Sequence, residues 1–183
     1  RNLIHRDIKP SNVILCERGG MFDVVKVLDF GLVKEIAHTD GDLTHANVLV
    51  GTPLFMAPET ISQPGMASPQ SDLYALGAVG YYLLTARNVF DGGSAVEICA
   101  RHLNDAPVPP SVRAGIAVGP DLEQLIMQCL AKAPADRPDG ASAFREALFA
   151  CQDSGGWTQR QAQAWWQAHA TAFVEGADRS EEH

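Results

Sequence analysis

The rhythm of apolar and polar positions changes several times along the chain, and each rhythm implies a different element. Val13-Ile14-Leu15 is a short unbroken apolar run, the signature of a buried strand. A second apolar stretch contains Val24-Val25 and Val27-Leu28, so residues 13–16 and 22–28 read as two strands. The residues between them, 17–21, include Gly19-Gly20, a hairpin signal. From 71 to 85 the sequence is apolar nearly all round, as expected of a central buried helix. Ser71 or Asp72 can cap its start. Its small residues Ala75, Gly77, Ala78 and Gly80 let another backbone approach closely. Residues 95–103 read as an amphipathic helix. Residues 121–131 set Leu122, Leu125, Ile126, Cys129 and Leu130 on one helical stripe, and 141–151 read as a last core helix. The pattern predicts a mainly α fold, of the α+β kind, with one small two-stranded element.

Between these elements the chain is irregular. Residues 32–50 are polar, with Thr39, Asp40, Asp42 and Thr44, and such a segment buries too little apolar surface to hold itself in place. Residues 104–119 carry Pro107, Pro109 and Pro110 and read as a loop. Asp153-Ser154-Gly155-Gly156 reads as a linker. The helix-forming stretch 157–174 beyond it holds Trp157, Trp165, Trp166 and Phe173, either packed back on the rest or presented to a partner. Residues 176–183 are charged and read as a disordered tail.

Composition narrows the class. The chain of 183 residues, 46% hydrophobic, has room for one domain with a core. A formal net charge of -8 argues against nucleic acid or an anionic membrane as a partner drawn by bulk charge. The four cysteines are scattered without a C-x-x-C pair, which argues against zinc and for a reducing, cytoplasmic setting. No apolar run reaches membrane-spanning length.

The chemistry is concentrated in His5-Arg6-Asp7-Ile8-Lys9-Pro10-Ser11-Asn12. This stretch sets a carboxylate, an ammonium and a carboxamide close together, and Pro10 keeps it out of a regular helix. The combination suits phosphoryl transfer, which needs positioning and charge neutralisation more than covalent help. Asp7 can take the proton of an attacking hydroxyl, Lys9 can neutralise a phosphate, and Asn12 can offer a neutral oxygen to magnesium. An Asp-Lys pair alone would equally suit a solvated loop. A second motif, Asp29-Phe30-Gly31, follows the second strand and adds another candidate magnesium ligand in Asp29. A third is Gly51-Thr52-Pro53-Leu54-Phe55-Met56-Ala57-Pro58-Glu59.

In that order and spacing the three motifs resemble the catalytic loop, the magnesium loop and the end of the activation segment of a eukaryotic-type serine/threonine protein kinase, as found in bacteria. The resemblance runs over 1–149 and implies a kinase-like C-terminal lobe with a small β-hairpin and no N-terminal lobe. It divides the chain into a partial catalytic domain, 1–152, and a linker, C-terminal helix and tail, 153–183. It implies ATP and Mg2+ as cofactors and a protein as substrate. Asp7, Lys9 and Thr52 would be catalytic; Lys9, Asn12, Ile14 and Asp29 would face the nucleotide, with Asn12 and Asp29 on the metal. Ile14 is either the floor under adenine or an ordinary core isoleucine. Thr52 with Lys9 favours serine/threonine over tyrosine as acceptor. Arg6 would receive a phosphate on Thr44, or second on Thr39, unless these are plain loop threonines. His5, Phe30 and Gly31 would be structural. Asp72 would reach back to the backbone of residues 5–6, and Arg137 would pair with Glu59.

Two further readings stand beside the kinase: a binding or scaffold module without catalysis, and a small-molecule phosphotransferase. A glycine-rich phosphate loop and a V-A-I-K-like strand have no counterpart in the sequence. The chain by itself is therefore expected to show little turnover and to leave its central helix partly uncovered.

Overall fold

A computed structural model describes residues 4–28 and 53–177. Asp29, Phe30, Gly31, Thr39, Thr44 and Thr52, and most of the tail, lie outside these residues.

The chain enters through a 3-10 turn, Pro10–Asn12, and runs straight into strand β1, Val13–Arg18. Strand β2, Met21–Val27, returns antiparallel, pairing Val13 with Val27, Leu15 with Val25 and Cys16 with Val24, with an irregularity between Cys16 and Arg18. The turn needs left-handed backbone at both Gly19 (φ 61) and Gly20 (φ 81), the conformation that matches the twist of a tight hairpin. The Glu17 carboxylate accepts the Gly20 N–H at 2.7 Å and closes the turn.

Seven α-helices follow among the described residues. They are α1 Pro58–Ser62, α2 Pro69–Thr85, α3 Ala95–Asn104, α4 Pro110–Ala114, α5 Pro120–Cys129, α6 Ala141–Ala150 and α7 Gln159–Ala177. Helix α2 is the axis. Tyr74 and Tyr81 are completely buried on it, and with Ala78 they pack against Ala57, Val89, Phe90, Ile126 and Leu130. A second cluster joins Leu73 of α2 to Leu125, Cys129 and Phe144. The two helices α2 and α5 meet across glycines. A Cβ on Gly77 would stand 2.5 Å from the Cys129 Cβ, and one on Gly80 would stand 2.5 Å from the Ile126 Cδ1. The burial is not complete: Leu83, near the end of α2, is 76% exposed.

Three expectations change. Helix α2 starts at Pro69 and not at residue 71, because Ser68 caps it in a reciprocal box with Ser71 and Pro69 fits the first helical position. Asp72 is therefore not its cap. The proline-rich stretch 104–119 is not all loop. Pro110 opens the short helix α4, where its missing N–H has no partner to lose, and Gly115 (φ 68) ends it. The last helix runs through Ala177, past the point where a charged tail was expected to begin.

Candidate active site

The loop from His5 to Asn12 is held by its own polar groups. Arg6 has a left-handed φ of 67, a conformation that a residue with a Cβ adopts only when its surroundings impose it. Here the Asp72 carboxylate imposes it. One oxygen accepts the His5 N–H at 2.6 Å and the other the Arg6 N–H at 2.9 Å. Asp72 stands in the first turn of α2, so the loop is fastened to the most buried helix of the fold.

Within the loop, the Lys9 ammonium lies 2.9 Å from the Asp7 carboxylate. The Asn12 amide donates to the Asp7 carbonyl at 2.8 Å and to the same carboxylate oxygen at 2.9 Å. With its nitrogen spent on Asp7, buried Asn12 keeps its side-chain oxygen Oδ1 for a ligand from outside. A neutral oxygen is a hard donor of the kind magnesium takes, so Asn12 suits that ion. His5 is buried and bridges loop to sheet. Its Nδ1 accepts the Asp7 N–H at 3.4 Å and its Nε2 reaches the Leu28 carbonyl at 3.0 Å. The Leu28 N–H donates in turn to the backbone carbonyl of Asn12 at 2.8 Å. Both backbone groups of Leu28, the residue before Asp29, are thus tied to the loop that carries Asp7.

Ile14 lies on β1 opposite Lys26 and is 43% exposed. The Arg6 side chain is exposed, and its expected partners Thr44 and Thr39 are outside the described residues.

A second polar centre joins α1 to the segment after the 3-10 turn Pro134–Asp136. Glu59 on α1 and Arg137, just after the turn Pro134–Asp136, form a two-pronged ion pair with distances of 2.7 and 2.8 Å. Ser71 donates to the same carboxylate at 2.7 Å. Burial works against the Glu59 charge, but the hydrogen bonds from Arg137 and Ser71 prevail and hold its carboxyl below the usual range. The guanidinium also lies over the Tyr74 ring, 4.9 Å from its centroid. The Tyr74 hydroxyl meets His102 Nδ1 at 2.7 Å, and His102 packs edge-on to Phe90. Burial, then the neighbouring Lys132 charge, push the fully buried His102 down to about 4, and the Leu54 backbone offsets this only in part. His102 went unnoticed in the sequence; a polar residue on the inner face of an amphipathic helix was the available signal.

The sequence also missed Asp23 and Gln159. Asp23 on β2 accepts the indole N–H of both Trp157 and Trp166, each at 2.7 Å. A cleft of about 460 Å³ beside α3 and α4, lined among others by Phe90, Asp91, Arg101 and Arg113, contains none of the predicted site residues.

A family model described as "Protein kinase domain" matches residues 1–149. The chain belongs to the protein kinase family. Its relatives are of the bacterial serine/threonine type. They include serine/threonine-protein kinase Pkn1 of Myxococcus xanthus, 46% identical over 149 residues, 81% of this chain and 21% of that protein. Serine/threonine-protein kinase pkn3 of the same organism is 42% identical over 151 residues, 81% of this chain and 27% of that protein. Serine/threonine-protein kinase PknB of Mycolicibacterium smegmatis is 35% identical over 147 residues, 80% of this chain and 23% of that protein. The chain thus spans about a quarter of the length of these relatives. Among the described residues no helix is long and apolar enough to cross a membrane.

Proposed function

We propose that this chain is the larger lobe of a serine/threonine protein kinase, and that the whole protein transfers the γ-phosphate of ATP to serine or threonine hydroxyls of other proteins. The observation that carries the reading is the Asp7–Lys9–Asn12 cluster. A carboxylate is held by a cation and an amide, on a loop anchored to the central helix through Asp72. A module kept only for docking would need none of these contacts.

In this reading Asp7 is the general base. Its second carboxylate oxygen, the one not bonded to Lys9 and Asn12, is directed to the acceptor hydroxyl and takes its proton. Lys9 steadies Asp7 before reaction and meets the developing charge of the transferred group. Asn12 fixes Asp7 and, with Asp29, would hold magnesium, which when bound neutralises phosphate charge. The Glu59–Arg137 pair braces the segment after Thr52, where a protein substrate would lie. Thr52 would orient Asp7 and Lys9 from that side, and a phosphate on Thr44 or Thr39 would be received by Arg6. Residues 1–183 alone supply one wall of a nucleotide site, so little turnover is expected from them without the other wall. The setting proposed is the cytoplasm.

The test is transfer of labelled γ-phosphate to a generic protein acceptor by the full-length kinase and by its Asp7→Asn variant. Loss of transfer by about a thousandfold or more is expected. Undiminished transfer by the variant would sink the assignment.

A further inference from the structure

The family match ends at residue 149, yet the polypeptide beyond it is fastened to the sheet. Gln159, at the start of α7, uses its side-chain amide on both backbone groups of Phe22: its oxygen accepts the Phe22 N–H at 2.9 Å and its nitrogen donates to the Phe22 carbonyl at 3.0 Å. One residue on, Asp23 takes the indole N–H groups of Trp157 and Trp166 on its two carboxylate oxygens. Asp23 does this from a left-handed backbone (φ 57), a conformation that side chains other than glycine rarely adopt. The Phe22 and Trp166 rings stand 6.4 Å apart. Gln159, Ala162 and Trp166 follow at helical spacing on one face, and Ala162 is completely buried.

Among the described residues the hairpin has little else to hold it. Leu15, Met21 and Val25 are each at least half exposed. Besides its own pairing, its main packing among the described residues is against the Pro10–Asn12 turn at one end and α7 along β2. Strand β2 therefore has two anchored ends. At Phe22 and Asp23 it is held by the C-terminal segment. About 20 Å away at strand spacing, Leu28 is bonded to His5 and Asn12. A paired strand is stiff along its length, so what fixes one end constrains the other.

We propose that residues 157–169 form a clasp that sets the placement of β2, with Asp23 and Gln159 as positioning residues for the Asn12–Asp29 end of the active site. The working catalytic unit then includes α7 and does not end at residue 149. This rests on the kinase reading for its consequence but not for its physical basis.

The test uses the full-length protein with two variants. Asp23→Asn keeps the shape and removes the charge to which both indoles donate. Gln159→Ala changes only an exposed helix position and guards against misfolding of the first. Amide hydrogen exchange over residues 21–28 should quicken by about tenfold or more, and the KM for MgATP should rise several-fold while the KM for the protein acceptor stays put. A simple loss of folded protein would lower kcat without separating the two KM values. Unchanged exchange in both variants overturns the clasp. Faster exchange with an unmoved MgATP KM overturns its link to the site. Hydrogen exchange needs no turnover, so an inactive wild-type protein would count against the kinase reading while exchange still decides the clasp.

Discussion

Arg137 and Glu59, 78 residues apart in sequence, form an ion pair in which the arginine has no donor left over. Its five N–H groups go to the two Glu59 oxygens and to the carbonyls of Gln70, Ala131 and Lys132. The side chain is wholly buried. One residue thus ties α1, the start of α2 and the end of α5 together. Removing one partner of such a pair strands a buried charge. Arg137→Ala is expected to cost about 3–5 kcal/mol, and Arg137→Lys to recover little of it, since an ammonium cannot span the same fork. Urea unfolding measures both, and a loss below about 1 kcal/mol for the alanine variant would contradict the account.

Acid should weaken the fold earlier than carboxylates alone would. His102 is pushed down to about 4 from 6.5, chiefly by burial. As pH falls from 6.5 towards 4, the unfolded chain takes up a proton that the folded one refuses, so stability drops, by up to about 3 kcal/mol. Glu59 adds to this lower down. Its carboxyl is held below the usual value of 4.5, so its contribution is present above that value and is lost as pH falls through the folded one. Unfolding free energy measured from pH 7 to pH 4 should have a flatter slope in His102→Gln than in the wild type. Equal slopes would remove His102 from the explanation.

The two glycines facing α5 should differ. Alanine is the better helix former by about 1 kcal/mol, but at position 77 the new methyl lands on the Cβ of Cys129, which cannot turn away. At position 80 it lands on the tip of the Ile126 side chain, which can. Gly77→Ala should lose about 1–3 kcal/mol and Gly80→Ala distinctly less. Thermal melts of the two variants side by side decide it, and the reverse order would be the contrary result.

Asp72→Asn tests how the loop is carried. An asparagine can accept from only one of the two N–H groups at His5 and Arg6 and turns a donor against the other. On the proposed function, kcat of the full-length kinase should fall roughly ten- to a hundredfold, with the acceptor KM little changed. A kcat within twofold of wild type would mean the loop holds its shape without this anchor.

How far these features were legible in the sequence depends on their range. The helices with apolar stripes, such as 95–103 and 121–131, were readable because their periodicity is local. The start of α2 differs because Ser68, and not Ser71 or Asp72, caps it, and α4 differs because the prolines of 104–119 read as loop, although Pro110 sits comfortably at the first helical position. Asp7, Lys9 and Asn12 lie within one loop and stand out as a motif. Asp72 with His5, and Glu59 with Arg137, were visible only through the family resemblance, because nothing local records a contact 67 or 78 residues long. Asp23 with Trp166, 143 residues apart and outside the family motifs, could not be read at all.

The Gln159 amide has one more consequence. Each strand of a two-stranded sheet has an open edge, and unpaired N–H and C=O groups there invite strands from other molecules. At Phe22 the side chain of Gln159 occupies the outward pair of groups as a neighbouring strand would. The α7 helix thereby blunts one rim of an otherwise sticky ribbon, and protein shortened before residue 157 would be more prone to aggregate through that rim.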